Sequence, residues 1–242
     1  MISHTHKCVF VHIPKTAGQS IEHFFLDLHG LTWKQKEQLF ISRNEVRKIG
    51  PAHLCHLTAE EYYDLGHISK EDFDNYFTFG FVRNPWERLV SEYLHKKIDK
   101  QMTLKEFVYK GLPKEDEFCD KHRHIIPQSD YLFDNKGNQL VDFIGRFENL
   151  VDDFDYVCKQ LTIEDSTLPH KNSSHSPRRL LLRKLRHIFS LNSSVKQHYT
   201  QYYDQELHDR VQDMYAQDIA RFNYAFGKQQ LKLDTQQQLL ID

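Results

Sequence analysis

The chain has 242 residues, 39% of them hydrophobic and 27% charged, which suits one large α/β domain with a substantial core and excludes a disordered chain. The formal net charge of −2 names no partner class, but its distribution is uneven: positions 166–203 hold no Asp or Glu, yet carry Lys171, Arg178, Arg179, Arg183, Lys184, Arg186 and Lys196. No apolar run is long enough for a signal-peptide core or a membrane span, so a soluble, cytoplasmic chain is expected. The cysteines Cys8, Cys55, Cys119 and Cys158 are too sparse for a disulfide framework; reduced thiols are expected, with a single bridge left open.

In chain order, the β-rich run 7–13 predicts a strand that ends at Pro14 and a polar turn. From Ser20 the pattern is helical, with Ile21, Phe24, Phe25 and Leu28 on one face. A second short strand is expected at 52–57 and a third at 76–82, followed by a helix with Pro85 in its first turn. Another helix begins at Thr103, and 131–141 resembles a hairpin around Asn135-Lys136-Gly137-Asn138. A strand at 142–147 precedes a helix through Leu150, Phe154, Val157 and Leu161. A polar loop, a basic helix opening at Ser176-Pro177 and a long helix over 205–222 complete the chain. Strands alternating with helices predict an α/β fold with a mostly parallel sheet flanked by helices. One domain over 1–242 is expected: a core over 7–165, a basic segment over 166–200, a helix over 203–227 and a polar tail over 228–242.

Two turns carry chemistry. In Pro14-Lys15-Thr16-Ala17-Gly18-Gln19-Ser20 a strand-loop-helix turn aims backbone N–H groups and a helix N-terminus at one spot, which favours an anion. Lys15 adds a mobile charge, Gly18 permits close backbone approach, and Thr16 and Ser20 offer hydroxyls. The order is not that of a Walker A loop, because Lys15 precedes the glycine. An ordinary strand-to-helix turn with a surface lysine is the alternative. The second stretch, Arg83-Asn84-Pro85-Trp86-Glu87-Arg88-Leu89-Val90-Ser91-Glu92-Tyr93, sets an Arg fork at a strand end and a Ser hydroxyl about two helical turns on. Arg88 is spaced to pair with Glu92 at i,i+4.

Together these stretches resemble the two nucleotide-binding elements of the sulfotransferase superfamily, and within it the membrane-type carbohydrate branch that includes the heparan sulfate 2-O-sulfotransferases. The resemblance continues through 127–132 and 144–150, and weakly through 218–224. It implies a P-loop-like three-layer fold and PAPS (3′-phosphoadenosine 5′-phosphosulfate) as sulfuryl donor, with adenosine 3′,5′-bisphosphate as product. Lys15, Thr16, Ala17, Gly18, Gln19 and Ser20 would surround the 5′-phosphosulfate, and Arg83 and Ser91 the 3′-phosphate. The acceptor implied is a hydroxyl of an oligo- or polysaccharide, with no nucleic acid and no metal required. Golgi members carry a membrane anchor that this chain does not show, so a soluble, bacterial-type member is expected.

Sulfuryl transfer needs a base for the acceptor proton, donors for the non-bridging oxygens and stabilisation of the leaving oxygen, much as in phosphoryl transfer. Lys15 suits the leaving phosphate. A histidine suits the base, since its pKa lies near neutrality. Among 16 histidines, His53 and His56 lie between the two nucleotide motifs. Matching the second residue of the relatives' His-Gly-His element selects His56 and leaves His53 one residue out of register; two ordinary histidines at a strand end is the alternative. His122, His124 and Gln128 are assigned with His53 to the acceptor side, and His12 to a structural role. The basic segment has three readings: Arg178 and Arg179 on the nucleotide, attraction of an anionic polysaccharide, or a solvated helix face. A P-loop-type nucleotide kinase and a non-catalytic polyanion-binding protein are the competing functions.

Overall fold

The computed structural model describes residues 1–114, 116, 118–168 and 198–227. Arg178, Arg179 and the remainder of the expected basic helix lie outside the described residues. Four strands form one sheet in the order β1 (Ile2–Ser3), β2 (Cys8–Val11), β3 (Phe77–Val82) and β4 (Phe143–Arg146). β1 runs antiparallel to β2, and β2, β3 and β4 are mutually parallel, with Phe10 opposite Phe79 and Phe79 opposite Phe143. The chain is therefore α/β with a mostly parallel sheet, as its alternating pattern implies.

The pleat sorts the core into two bodies. Val9 and Val11 point into one, together with Val82, Trp86, Leu89, Tyr62 and Tyr131. Cys8 and Phe10 point into the other, with Phe79, Phe81, Phe25 and Phe154. The helix after β2, α1 (Gly18–Leu28), and the helix after β3 pack on opposite faces for this reason. α1 buries Ile21, Phe24 and Phe25 in the phenylalanine-rich core. Leu28, expected on the same stripe, is 39% exposed at the helix end. Neighbouring parallel strands thus send their chains to opposite faces of the sheet, and ligands of open α/β sheets bind beyond the carboxyl ends of strands at such a point.

Three expectations change. Segment 52–57 is not a sheet strand: it is a short 3₁₀ turn, Leu54–His56, tied by one bridge between Arg43 and His53. Its apolar residues Leu54 and Leu57 are buried three positions apart, the spacing of a core-facing turn and not of a pleat. The hairpin is reduced to one bridge between Phe133 and Gln139, because Ser129–Leu132 is helical. The last helix is two, Gln205–Met214 and Ala216–Arg221. They part at buried Tyr215, whose hydroxyl donates to the Ile125 carbonyl at 2.6 Å. Two further helices complete the numbering before β3, α2 (Ala59–Asp64) and α3 (Lys70–Asn75), and α4 (Pro85–His95) follows it.

Candidate active site

The turn from β2 into α1 uses left-handed backbone at two non-glycine residues, Lys15 (φ 74°) and Ala17 (φ 73°), conformations uncommon outside glycine. Ala17 is the N-cap of α1 and offers no side-chain cap, and no acidic residue lies in the first turn. By contrast, α2, α3 and α4 are capped by Thr58, Ser69 and Asn84. The N-terminus of α1 therefore has its dipole and first N–H groups uncompensated by side chains, an arrangement that favours an anion. Thr16 is fully buried, and its hydroxyl donates to the Ile13 carbonyl at 2.8 Å, which ties down the turn. Gly18 has a reason the sequence reading missed. A Cβ there would lie 1.9 Å from Cδ2 and 2.0 Å from Nε2 of His12. Gln19 is exposed and Ser20 half-buried on the first turn of α1.

Arg83 joins the two motifs. It donates to the Lys15 carbonyl at 3.2 Å and to Glu87 Oε1 at 2.7 Å, and its guanidinium lies 4.0 Å over the Phe147 ring. Its Nε is buried with no hydrogen-bond partner, a cationic donor awaiting an acceptor. Burial pulls the Lys15 ammonium down to about 8; nearby Arg83 and Lys96 act the same way, and Glu92 opposes them. Cations crowded beside an uncapped helix N-terminus fit a group that brings negative charge. Ser91 is half-buried on α4.

Arg88 does not pair with Glu92. It is buried and donates to the carbonyls of Pro14 at 3.1 Å, Ile126 at 2.9 Å and His124 at 3.1 Å, so it ties the phosphate-type loop to the segment that carries His124. Glu92 instead bonds His124 Nδ1 at 2.9 Å. Burial lowers the His124 pKa, and Glu92 opposes this only in part. Burial would raise the Glu92 carboxyl, but the hydrogen bond from His124 and the charges of His124, Lys96 and Lys15 hold it below its usual range. The pair is a neutral imidazole donating to a carboxylate.

His56 sits between two histidine–carboxylate pairs. Its ring is 5.0 Å from His124 and 5.0 Å from His12, edge to face in both cases. His12 Nδ1 bonds Glu22 Oε1 at 2.7 Å in a fully buried pair. Burial first, then the neighbouring His12, His124 and His53, keep the His56 pKa well below 6.5, so the imidazole is neutral at pH 7. The His56 carbonyl accepts from Arg123 at 2.9 Å, and Arg123 is itself paired with Glu61. His53 stands apart, 6.2 Å from His56, with Nδ1 on Asp120 Oδ2 at 2.6 Å.

One short segment, Asp120 to His124, thus supports the whole array: Asp120 holds His53, Arg123 holds the His56 backbone and His124 meets the His56 ring. His122 turns away to the Asp116 carbonyl at 3.2 Å. Gln128 is fully buried, with its amide spent on both sides of the Arg83 peptide and on Asp218, which leaves it a scaffold position and not an acceptor contact. Its neighbours serve the same scaffold. Asp218 accepts from the backbone of Gln128 and Ser129 at 2.8 Å each, and Glu148 accepts from the Asn84 N–H at 2.6 Å. The stretches 127–132, 144–150 and 218–224 therefore share one task, fixing the loop that presents Arg83.

In comparison with known proteins, residues 1–225 match the family model described as "Sulfotransferase family". An uncharacterised protein of Archaeoglobus fulgidus is 38% identical over 101 residues, which is 40% of this chain and 78% of that protein. No solved structure matches the chain.

Proposed function

The chain belongs to the sulfotransferase family, and from that premise we propose that it transfers a sulfuryl group from PAPS to a hydroxyl, with a carbohydrate as acceptor. The observation that carries the donor reading is the uncapped N-terminus of α1 beside Lys15 and the orphaned Nε of Arg83. PAPS supplies an activated sulfuryl group on a phosphosulfate anhydride. The backbone of Lys15, Thr16, Ala17 and Gly18, with Gln19 and Ser20, would hold its 5′ end, and Arg83 and Ser91 its 3′-phosphate. Glu87 must yield part of its hold on Arg83 as it does so. Arg178 and Arg179 are proposed as further nucleotide contacts.

Lys15, with its ammonium near 8, can neutralise the leaving phosphate oxygen or give it a proton at physiological pH. His56 is the proposed base. It is neutral at pH 7, and Glu22 and Glu92 fix the imidazoles on either side of it. His53 and His124, at the rim of the array, are proposed on the acceptor side. The carbohydrate acceptor draws support from the resemblance of the paired nucleotide motifs. Among the described residues no helix is long and apolar enough to cross a membrane.

Thermal unfolding tests the donor assignment. Adenosine 3′,5′-bisphosphate should raise the melting temperature well above the effect of equimolar ATP, since binding to the folded state alone stabilises it by mass action. Equal stabilisation by the two, or stabilisation by ATP with Mg²⁺ alone, would favour a kinase and refute the reading.

A further inference from the structure

We propose that His12, Cys55 and His56 form a binding site for a thiophilic divalent cation of the zinc type, and that filling it stops transfer. One ligand atom from each of the three lies within 4.8 Å of the others. They come from two stretches, the end of β2 and the turn Leu54–His56. Two imidazoles and a thiolate are a donor set that selects Zn²⁺ over hard cations, and three protein ligands leave one position open. Ligand separations of about 3.3–3.6 Å follow from ordinary Zn–N and Zn–S bond lengths, a closure of about 1 Å within reach of a Cys55 rotamer change.

Two independent features point to a ligand here. Nδ1 of His56 is buried with no hydrogen-bond partner, and buried polar atoms are rarely left so. His12 already has the outer-shell partner typical of a metal-bound imidazole: Glu22 holds its Nδ1 at 2.7 Å and leaves Nε2 for a cation. The charges balance as well, because the Cys55 thiolate and the Glu22 carboxylate behind His12 together offset the dication. Binding releases the thiol proton to solvent. The inhibitory part of the proposal rests on His56 being the base, since a cation on its ring occupies a lone pair needed for the acceptor proton. The binding part does not.

The full chain, freed of metal with a chelator, is titrated with Co²⁺ and followed by absorption. The expected result is a thiolate-to-cobalt charge-transfer band with intense visible bands of a four-coordinate ion, both displaced by Zn²⁺. Cys55→Ser should remove the charge-transfer band and Cys119→Ser should keep it, while Glu22→Gln should weaken Zn²⁺ binding about 10- to 100-fold. Where a variant fails to fold, the wild-type chain carries the test: Zn²⁺ should protect Cys55 from iodoacetamide, read by mass spectrometry of its peptide. A pale six-coordinate Co²⁺ spectrum, a charge-transfer band that survives Cys55→Ser, or equal Cys55 alkylation with and without Zn²⁺ overturns the site. Four-coordinate Co²⁺ bands in a chain that transfers no sulfuryl group would confirm the site and refute the reaction. Transfer unchanged at saturating Zn²⁺ would refute the inhibition and leave the reaction standing.

Discussion

Lys15 gives the donor site a pH signature that can be worked through. In the free protein its ammonium titrates near 8, chiefly because it is buried, with Arg83 and Lys96 adding to the effect. A phosphate binds the protonated form. By that value Lys15 is about nine-tenths protonated at pH 7 and about one-tenth at pH 9, so affinity for adenosine 3′,5′-bisphosphate should fall about tenfold across this window, or about 1.4 kcal/mol. The ligand's own second phosphate ionisation, near about 6, is largely complete below it. Proton uptake on binding should rise from about 0.1 per nucleotide at pH 7 to about 0.9 at pH 9. Titration calorimetry in buffers of different ionisation enthalpy measures both. The free chain should show the opposite trend in stability. Its folded pKa lies below the unfolded value, so the unfolded state binds more protons above pH 8 and stability rises with pH there. Lys15→Met should weaken binding and flatten the profile. Affinity independent of pH, with no proton uptake in the wild-type chain, would refute a buried Lys15 facing the phosphate.

Gly18→Ala forces its new methyl into the His12 ring, which the Glu22 bond and the Phe10 stack hold in place. A loss of about 1–3 kcal/mol in urea unfolding is expected, and Gly18→Ala should cost less in a His12→Ala background, where the ring it strikes is gone; a fully stable Gly18→Ala with normal nucleotide binding would contradict the packing argument. Arg88→Met strips buried donors from the carbonyls of Pro14, His124 and Ile126. At about 1–3 kcal/mol for each unsatisfied group, a loss of about 3 kcal/mol or more is expected in the same measurement, together with weaker nucleotide binding; a loss under about 1 kcal/mol would show that Arg88 is not the tie described.

The two strand-turn-helix units that carry Lys15 and Arg83 were legible in the sequence because everything that makes them is local: an apolar strand, a break, then a helical stripe. Pro85 does open α4, and Phe143–Arg146 is the strand expected in that region. The histidine array was harder to see. His12, His56 and His124 are scattered along the chain, and the buried partners of two of them, Glu22 and Glu92, sit on separate helices away from them in the sequence. Spacing offered Arg88 to Glu92 as an i,i+4 pair, and tertiary structure gave each a different partner. Segment 52–57 failed for a related reason. The short apolar stretch holding Leu54 and Leu57 suited a strand, but their burial serves a loop that carries His56. Gln128 looked like a polar residue near the acceptor, and proved to be buried with its amide already satisfied.

Transfer of label from ³⁵S-PAPS to a panel of polysaccharides, oligosaccharides, glycolipids and small alcohols tests the central claim most directly, run on the wild-type chain and on His56→Ala. The account predicts label on a hydroxyl acceptor with the wild-type chain, and a rate about 10²- to 10⁴-fold lower for His56→Ala with nucleotide binding retained. No transfer to any hydroxyl acceptor by a folded chain that binds PAPS, or full activity in His56→Ala, would contradict it.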